Sequence, residues 1–422
     1  MNKPIVGFAG MTHLGINSLV AAAERGFHVV GFDTNMMAIN RLKNQDPPVV
    51  EPQLIELMVK NTKQITFTAE NNDLAQCDIV YIAADVPTND KGQSELTVIR
   101  QLIDNVVNVL AKNAILVILC QVPPGFTRAL SFPKERLFYQ VETLVFGQAI
   151  DRALNPERFM VGFAIPEQSL PPSYHTLLSA FQCPILPMRY ESAELAKISI
   201  NFCLVASISV ANTLSEVCEK IGADWSEIAP ALKLDKRIGP FAYLAPGLGI
   251  AGGNLERDLT TILELSREHG TESGIVSAWI KNSQYRRDWV LRSLHQELLA
   301  KNDNPTIAVL GLAYKENTDS IKNSPSLALL SALTAYRVKV YDPVVPASVA
   351  AKAEGTLNAA DAVQGADALI IMTPWAEFKE LTLTILQKMK GRLIVDPFRI
   401  LKGHEIKKAG FHYLTLGKSS VC

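Results

Sequence analysis

The segment GLGIAGGNLERDL, residues 247–259, holds the residue types best suited to chemistry in this sequence. With the preceding LDKRIGP (234–240) and AP, it contains five glycines and two prolines, a composition that does not form a core element. It predicts a loop whose backbone closely approaches a ligand. The charged residues Glu256, Arg257 and Asp258 follow at once. The segment is therefore the first candidate for an active-site loop.

Lys197 and Asn201 lie four residues apart in a long helical run, so they share one helix face. A lysine within the otherwise apolar AELAKISINF needs a polar site to point into. The alternative is a lysine that extends along the helix surface to solvent. Asn201, one turn further on, favours the first interpretation.

Gly10, Thr12 and Gly15 occupy the positions of a dinucleotide fingerprint, G-x-G-x-x-G, directly after an apolar run and before a helical one. Asp33 ends the next predicted strand, where an acid can bind a ribose hydroxyl. No arginine is adjacent, which favours NAD over NADP. Thr12 replaces the middle glycine and leaves less room for a pyrophosphate, so an ordinary turn without a ligand is the alternative.

Two further loops carry polar residues in suitable places. CQVPPGFT (120–127) follows an apolar run, which places it at the carboxyl edge of a sheet, where such folds bind ligands. NPERFMVG (155–162) brings Glu157 and Arg158 into a similar loop. Either segment alone is equally compatible with a plain turn.

The elements that position these residues follow from apolar periodicity. PIVGFAG (4–10), a helical stretch and FHVVGFD (27–33) form a β-α-β unit, and CDIVYIAAD (77–85) and AILVILCQV (114–122) continue it. A proline-free run from about residue 190 to residue 220 predicts one long helix closed by Gly222. Strand-like runs restart at 305–313, 338–343, 366–374 and 392–397. We therefore expect an α/β chain with two Rossmann-like, doubly wound parallel sheets joined by a helical region.

Composition excludes several classes of protein. Among 422 residues, 42 acids and 41 bases cancel, so bulk charge argues against nucleic acid or an anionic membrane as partner. No secretory signal and no 18-residue apolar run are apparent. The histidines lack metal-ligand spacing, so no metal is expected. The six cysteines form no CxxC pair, which predicts buried free thiols and a cytoplasmic protein: Cys77, Cys120, Cys183, Cys203, Cys218 and Cys422.

Taken together, these segments and several others resemble the UDP-glucose/GDP-mannose dehydrogenase family over nearly the whole chain. The matching segments are EP (51–52), NPERFMVG, AELAKISIN…AN (193–212), RIG with PGLGIAGG, GLAYKENTDSIKNSP (311–325) and TPWAEFK (373–379). The resemblance implies an NAD-binding domain at 1–188, a central helical, dimer-forming domain at 189–300 and a sugar-nucleotide domain at 301–422. It also implies oxidation of a sugar C6 alcohol to a carboxylate in two hydride transfers.

Carried over by residue, the resemblance implies that Lys197 stabilises the oxyanion and that Asn201 and Asp258 position the reacting oxygen or a water. Asp258 is then a candidate base, and Glu157 assists proton transfer. The remaining implied contacts divide between cofactor and substrate. For NAD they are Gly10, Thr12, Gly15, Asp33, Thr88 and Gln121; for the sugar nucleotide they are Arg237, Gly249, Gly252, Gly253, Arg257, Lys315 and Lys322. UDP-glucose as substrate and a homodimer are expected on the same basis.

The departures from the family pattern concern its chemistry. The catalytic cysteine of the family falls on Asn254, and an amide nitrogen, whose lone pair is delocalised, cannot capture an aldehyde. Arg257 replaces a lysine, Gln121 a threonine and Lys322 an arginine. Cys120, in a different loop, is a weak candidate for a substitute thiol.

Three hypotheses remain open. The enzyme stops at the two-electron stage and releases a carbonyl product, which we favour because Lys197, Asn201 and Asp258 are all present. It completes four-electron oxidation through the aldehyde hydrate, with Asn254 bonding the gem-diol. Or it binds sugar nucleotides without catalysis, which the changes at Thr12 and Asn254 would suit.

Overall fold

A computed structural model describes residues 3–89 and 92–419 of the chain. The chain divides into two compact units, residues 1–200 and 201–422. Cys422 lies outside the described residues. The predicted three-domain division, with boundaries after residues 188 and 300, stays a prediction.

Within the described part of the first unit, eight strands form one sheet in the order β3-β2-β1-β4-β5-β6-β7-β8. All neighbours pair in parallel except β6 and β7, which are antiparallel. The strands are β1 Val6–Ala9, β2 Val29–Phe32, β3 Ile65–Thr68, β4 Ile79–Ile82, β5 Ile115–Ile118, β6 Leu137–Gln140, β7 Phe159–Phe163 and β8 Ile185–Arg189.

The central strands are apolar on both faces because helices cover both sides of the sheet. All four residues of β1 and of β4 are buried, and Val6 pairs with Val29 on one side and Ile79 on the other. From β1 the strand order runs to β2 and β3 on one side and to β4 and β5 on the other. In such sheets ligands bind at the carboxyl ends of the two strands that flank this change of direction, here β1 and β4. The helices are α1 His13–Glu24, α2 Met36–Lys43, α3 Leu54–Lys60, α4 Thr97–Val107, α5 Ala149–Leu154 and α6 Pro172–Ser179.

The described part of the second unit begins with helices and ends in a six-stranded parallel sheet, ordered β11-β10-β9-β12-β13-β14. This order repeats that of β3-β2-β1-β4-β5-β6, so the two-sheet fold expected from the sequence is confirmed. The strands are β9 Thr306–Leu310, β10 Arg337–Tyr341, β11 Glu354–Gly355, β12 Ala368–Ile371, β13 Leu393–Val395 and β14 His412–Leu414.

Helices precede this sheet and also cover it. The unit contains α8 Trp225–Leu234, α9 Asn254–His269, α10 Gly274–Arg287, α11 Trp289–Leu294, α12 Pro325–Ala332, α13 Ala359–Val363, α14 Leu383–Leu386 and α15 Gly403–Lys408. A buried core of aliphatic residues from β9, β12 and β13 packs against α11–α13. The glycine-rich segment 247–253 is followed directly by α9, which begins at Asn254.

The long helix α7, Tyr190–Ile221, has the predicted extent and contains the boundary between the two units. Within the described residues it is the one helix long and apolar enough to cross a membrane, with a mean hydropathy of 1.5 over its most apolar stretch, 28% of which is buried. Helices of soluble proteins meet the same criterion, so this single helix does not indicate a membrane protein. It does indicate a large apolar surface on α7.

The cysteine prediction is confirmed only in part. Cys77, Cys120 and Cys218 are buried and Cys183 is half-buried, and none of the five described cysteines forms a disulfide. Cys203 is exposed, contrary to expectation, because it lies on an outward face of α7.

Candidate functional site

The turn after β1 has the geometry of a nucleotide cradle. Gly10 has a φ of +100°, and a Cβ there would lie 2.6 Å from the Cβ of Ala84. A Cβ on Gly15 would lie 1.8 Å from the Gly10 carbonyl oxygen, so α1 packs on the turn at a distance only glycine permits. Both glycines of the fingerprint are thus required by the backbone, as the dinucleotide-binding turn demands.

Thr12 and Asp33 are both bonded to this cradle. The Thr12 hydroxyl accepts a hydrogen bond from Asp85 N at 2.8 Å, which ties the turn to the segment after β4. Asp33 accepts from Met11 N at 2.7 Å and from Asn35 N at 2.9 Å. Thr12 is therefore accommodated by a specific contact, and the turn keeps the form that suits a dinucleotide.

The other predicted cofactor residues lie at the same edge of the sheet. Gln121 is half-buried and follows β5, and Thr88 is half-buried and follows β4, where it forms a β-bridge with Ser94. Because β4 and β5 are parallel neighbours of β1, their carboxyl ends meet at the cradle. These positions fit NAD bound across the switch point.

Lys197 has an acidic partner that the sequence prediction missed. Its Nζ lies 2.6 Å from Glu142 Oε1, and the two side chains are only 11% and 16% exposed. Glu142 lies two residues after β6, at the end of the apolar run LFYQV (137–141). That run could have been recognised as a strand, which would have placed Glu142 among the loop acids.

Glu157, the acid proposed from the sequence, lies elsewhere in the first unit. Its side chain is 64% exposed, and it pairs with Arg158 at 2.8 Å and lies 3.7 Å from Arg152. The structure thus brings Glu142, rather than Glu157, to Lys197. A catalytic role for Glu157 stays a prediction.

In the second unit, Asn201 and Asp258 form a direct pair. Asn201 Nδ2 donates to Asp258 Oδ2 at 2.5 Å, and Asp258 is 1% exposed. Arg257, also buried, places its Nε 3.8 Å from Asp258 Oδ1. A carboxylate buried in this way is held in one orientation, which is the requirement for a base or a positioning group.

The glycine loop is fixed by contacts along its length. Gly249 has a φ of +78°, and a Cβ there would lie 2.4 Å from the Ser283 carbonyl oxygen. Gly247 N donates to Asn212 Oδ1 at 2.8 Å and Ile250 N to Ser283 Oγ at 2.7 Å. The loop therefore has a defined shape determined by α7 and α10.

The far end of the loop contacts the segment that carries Lys315 and Lys322. Gly252 has a φ of +77°, and a Cβ there would lie 3.1 Å from the Tyr314 ring. Gly252 N donates to the Lys322 carbonyl at 3.0 Å, and Asn323 Nδ2 donates to the Gly252 carbonyl at 2.9 Å. Lys315 Nζ lies 5.8 Å from the centre of the Tyr314 ring. Two of the predicted substrate residues thus adjoin the glycine loop.

Asn254 is the exposed first residue of α9, preceded by Gly253 as its N-cap. Asp258 follows one turn later, so the amide and the carboxylate share one face of the helix. Arg237, by contrast, lies on an exposed turn after α8 and pairs with Asp235 at 2.7 Å. No cluster of three or more metal-ligating side chains occurs among residues 3–89 and 92–419.

Comparison with known proteins agrees with this geometry. The UDP-glucose/GDP-mannose dehydrogenase family matches in three parts: its NAD binding domain over residues 5–173, its central domain over 191–284 and its UDP binding domain over 308–403. A UDP-glucose 6-dehydrogenase of Bacillus subtilis, TuaD, is 30% identical, with 99% of this chain and 94% of that protein covered. A UDP-glucose 6-dehydrogenase of Rickettsia conorii is 28% identical over 98% of this chain and 99% of its own.

Solved structures share the fold. A UDP-D-ManNAc dehydrogenase from Pyrococcus horikoshii superposes with a TM-score of 0.86 at 21% identity, covering 99% of this chain and 100% of its own. A UDP-glucose dehydrogenase from Pyrobaculum islandicum gives 0.82 at 23% identity, covering 92% and 97%. The chain therefore belongs to the UDP-glucose/GDP-mannose dehydrogenase family, whose members are NAD-dependent dehydrogenases that act on nucleotide sugars.

Proposed function

We propose that this protein oxidises a sugar alcohol of a UDP-sugar, with NAD, and stops at the two-electron stage. The observation that carries the proposal is the hydrogen bond from Asn201 on α7 to the buried Asp258 on α9, the helix that begins at Asn254. The groups proposed for the first oxidation are all present in the chain, whereas the residue at the position of the nucleophile for the second oxidation is an asparagine. UDP-glucose is the proposed substrate because it is the substrate named for the two relatives described above.

The first oxidation needs a hydride acceptor, a base and a positive charge. NAD supplies the hydride acceptor when bound, and Gly10, Gly15 and Asp33 would hold it. Asp258, oriented by Asn201, would take the proton of the sugar hydroxyl. Lys197, whose largely buried ammonium group lies beside Glu142, would stabilise the negative charge that develops on the oxygen.

The second oxidation lacks a nucleophile. An amide cannot form the hemiacetal-like adduct that a thiolate forms with an aldehyde, because its nitrogen lone pair is delocalised. The described thiols are poor substitutes. Cys120 is 0% exposed in the first core, and burial raises the pKa of Cys77 to about 12. Cys203 lies two residues after Asn201, near the opposite face of α7.

Two alternatives remain. The aldehyde hydrate could lose a second hydride, with its proton passing to Asp258 and Asn254 hydrogen-bonding the gem-diol; the shared face of Asn254 and Asp258 supports this version. A non-catalytic binder would need neither the buried pair nor the Lys197–Glu142 contact. The retention of both makes catalysis the stronger proposal.

We further propose a homodimer formed through α7 in the cytoplasm. Val210, Leu214, Val217 and Ile221 lie at spacings of four, three and four residues, so they form one stripe, and each is at least 45% exposed. An exposed apolar stripe of this length suits a second copy of the chain. Light scattering should give twice the chain mass, and Leu214→Glu should yield monomers.

The product distinguishes the three versions of the proposed function. Purified protein is incubated with NAD and UDP-glucose, then with other UDP- and GDP-hexoses, and the products are identified by mass spectrometry. A product that has lost two hydrogens, with or without bound water, supports the two-electron enzyme. A uronic acid supports the hydrate route. An unchanged sugar nucleotide that nevertheless binds supports the non-catalytic protein.

A further inference from the structure

Glu194 is a fully buried carboxylate in the first turns of α7, three residues before Lys197. It carries no role in the mechanism above, and its side chain points to a different segment of the first unit. A buried acid is costly unless hydrogen bonds satisfy it, so its partners are informative.

Both carboxylate oxygens of Glu194 accept backbone hydrogen bonds from one loop. Gly125 N donates to Oε2 at 2.6 Å and Thr127 N donates to Oε1 at 2.9 Å. Gly125 has a φ of +93°, so the loop turns sharply at this point. The carboxylate thus fixes the end of the segment 120–127, which begins two residues after the end of β5 and includes Gln121.

A carboxylate matches this task better than any other side chain of its size. It offers two acceptor oxygens and no donor, whereas an amide would turn an N–H toward one of the two loop amides. Burial raises the pKa of the Glu194 carboxyl, while the bonds from Thr127 and Gly125 favour its charged form. Glu191 and Arg128 are the neighbouring charged groups, and they pair with each other at the surface.

Glu194 and Lys197 are neighbours on α7, because residues three apart lie on the same side of a helix. One helix therefore holds two functional elements of the first unit: the amine of Lys197 and, through Glu194, the loop that carries Gln121. Other contacts support the same loop. Phe126 is buried, and the Arg100 guanidinium lies 4.8 Å from the centre of its ring.

We propose that Glu194 is a positioning residue of the cofactor site, which holds the 120–127 loop in the conformation that binds NAD. The inference rests on the proposed role of Gln121 and its loop in holding the cofactor. Loss of the hydrogen bonds from Gly125 and Thr127 should loosen the loop and weaken cofactor binding. Lys197 and Asp258, the groups proposed for the first hydride transfer, should not be affected.

The test compares Glu194→Gln with a matched control, Glu191→Gln, which lies one helix turn away and removes an exposed ion pair to Arg128, the residue that follows the loop. Hydrogen exchange of the Gly125 and Thr127 amides is measured without ligand, and the Kd for NADH is measured by calorimetry. For Glu194→Gln we expect about tenfold faster exchange of these amides and about tenfold weaker NADH binding, the effect of one lost hydrogen bond. We expect kcat at saturating NAD to stay within about twofold, because the proposed base is untouched. Glu191→Gln should change none of these.

Several outcomes would overturn the proposal. The proposal is contradicted if Glu194→Gln binds NADH as tightly as the wild-type protein does. It is also contradicted if NADH binding weakens but hydrogen exchange of the Gly125 and Thr127 amides is unchanged. If Glu194→Gln does not fold, Glu194→Asp is used instead, because it keeps the charge but shortens the reach, and it should reproduce both effects. A wild-type protein that binds no NADH contradicts the proposed function and this inference together. NADH binding that is unaffected by either variant contradicts this inference alone.

Discussion

Asn201 on α7 donates a hydrogen bond from Nδ2 to Asp258 Oδ2 on α9, across 2.5 Å, and fixes a carboxylate that is almost fully buried. The other carboxylate oxygen of Asp258, Oδ1, lies 3.8 Å from Arg257 Nε. A fixed carboxylate one turn after Asn254 is the feature from which the proposed chemistry follows.

Replacing Asp258 should remove the base but keep the fold. In Asp258→Asn the new amide oxygen can still accept from Asn201, so binding of the sugar nucleotide should persist while kcat falls about 100-fold or more. Stopped-flow measurement of NADH formation checks this. Glu268→Gln, at the exposed end of the same helix, is the control and should be neutral. A kcat for Asp258→Asn within a factor of a few of wild type would exclude the base assignment.

The two candidate acids of the first unit should behave differently. Glu142→Gln removes the carboxylate 2.6 Å from Lys197 Nζ and should lower kcat/KM for the sugar nucleotide about tenfold or more, the effect of one charge-assisted bond. Glu157→Gln changes an exposed pair and should leave kcat/KM within about twofold. Steady-state kinetics with both variants decides the assignment, and the reverse ranking would restore the sequence-based choice of Glu157.

The glycine loop offers a matched comparison of two alanine variants. At Gly249 the positive φ and the 2.4 Å approach to the Ser283 carbonyl should make alanine destabilising by about 1–3 kcal/mol. A Cβ on Gly247, in the same loop, meets no atom within 4 Å, so Gly247→Ala should be nearly neutral. Calorimetry gives the unfolding temperatures, and calorimetric titration with UDP-glucose gives binding. Equal effects in the two variants would contradict the described loop geometry.

Asp224 should make the second unit sensitive to acid. Burial alone would raise its pKa, but hydrogen bonds from Lys418, Ser226 and Arg399 outweigh burial and hold the pKa well below its usual range. A depressed acid stabilises the fold fully above its unfolded-state pKa, about 4, and this stabilisation is lost as pH falls through the lower folded-state value.

Asp224→Asn should therefore lower the free energy of unfolding by about 1–3 kcal/mol at neutral pH, because it weakens contacts to Lys418 at 2.9 Å and Arg399 at 2.8 Å. The difference from wild type should shrink below about pH 4. Denaturant unfolding across this range provides the measurement. Glu354→Gln, in an exposed pair with Arg337, is the control and should show no such dependence. A difference that grows with acidity would contradict the assignment.

The fold was predictable where strands are buried on both faces. Runs such as IVYI in β4 and ALII in β12 are wholly apolar, so the pattern alone marks them as central strands. Edge strands were missed because they are partly exposed or short. Two buried strands were missed as well: Gln140 interrupts the apolar pattern of β6, and the segment 155–162, which was expected to be a loop, contains the first four residues of β7. Ile65–Thr68 is largely half-exposed, and Glu354–Gly355 is two residues long and exposed.

The candidate site was predictable where a residue type is required by its own backbone or by its helix. The glycine-rich composition of the loop predicts unusual backbone conformations at Gly249 and Gly252. The four-residue spacing of Lys197 and Asn201 predicts that they share one face of a helix. Glu142 and Glu194 could not be assigned in this way. Their importance comes from packing between distant segments, α7 against the segment after β6 and the loop after β5, which no local pattern reports.

The proposed two-electron reaction is tested by the number of NADH molecules formed per sugar nucleotide consumed, measured with limiting UDP-glucose and excess NAD. We expect one NADH per sugar and a carbonyl product. We also expect that Asn254→Cys, which places a thiol at the first residue of α9, raises the ratio toward two and yields a carboxylate. Two NADH per sugar in the wild-type protein, with a uronic acid as product, would contradict the proposed two-electron reaction.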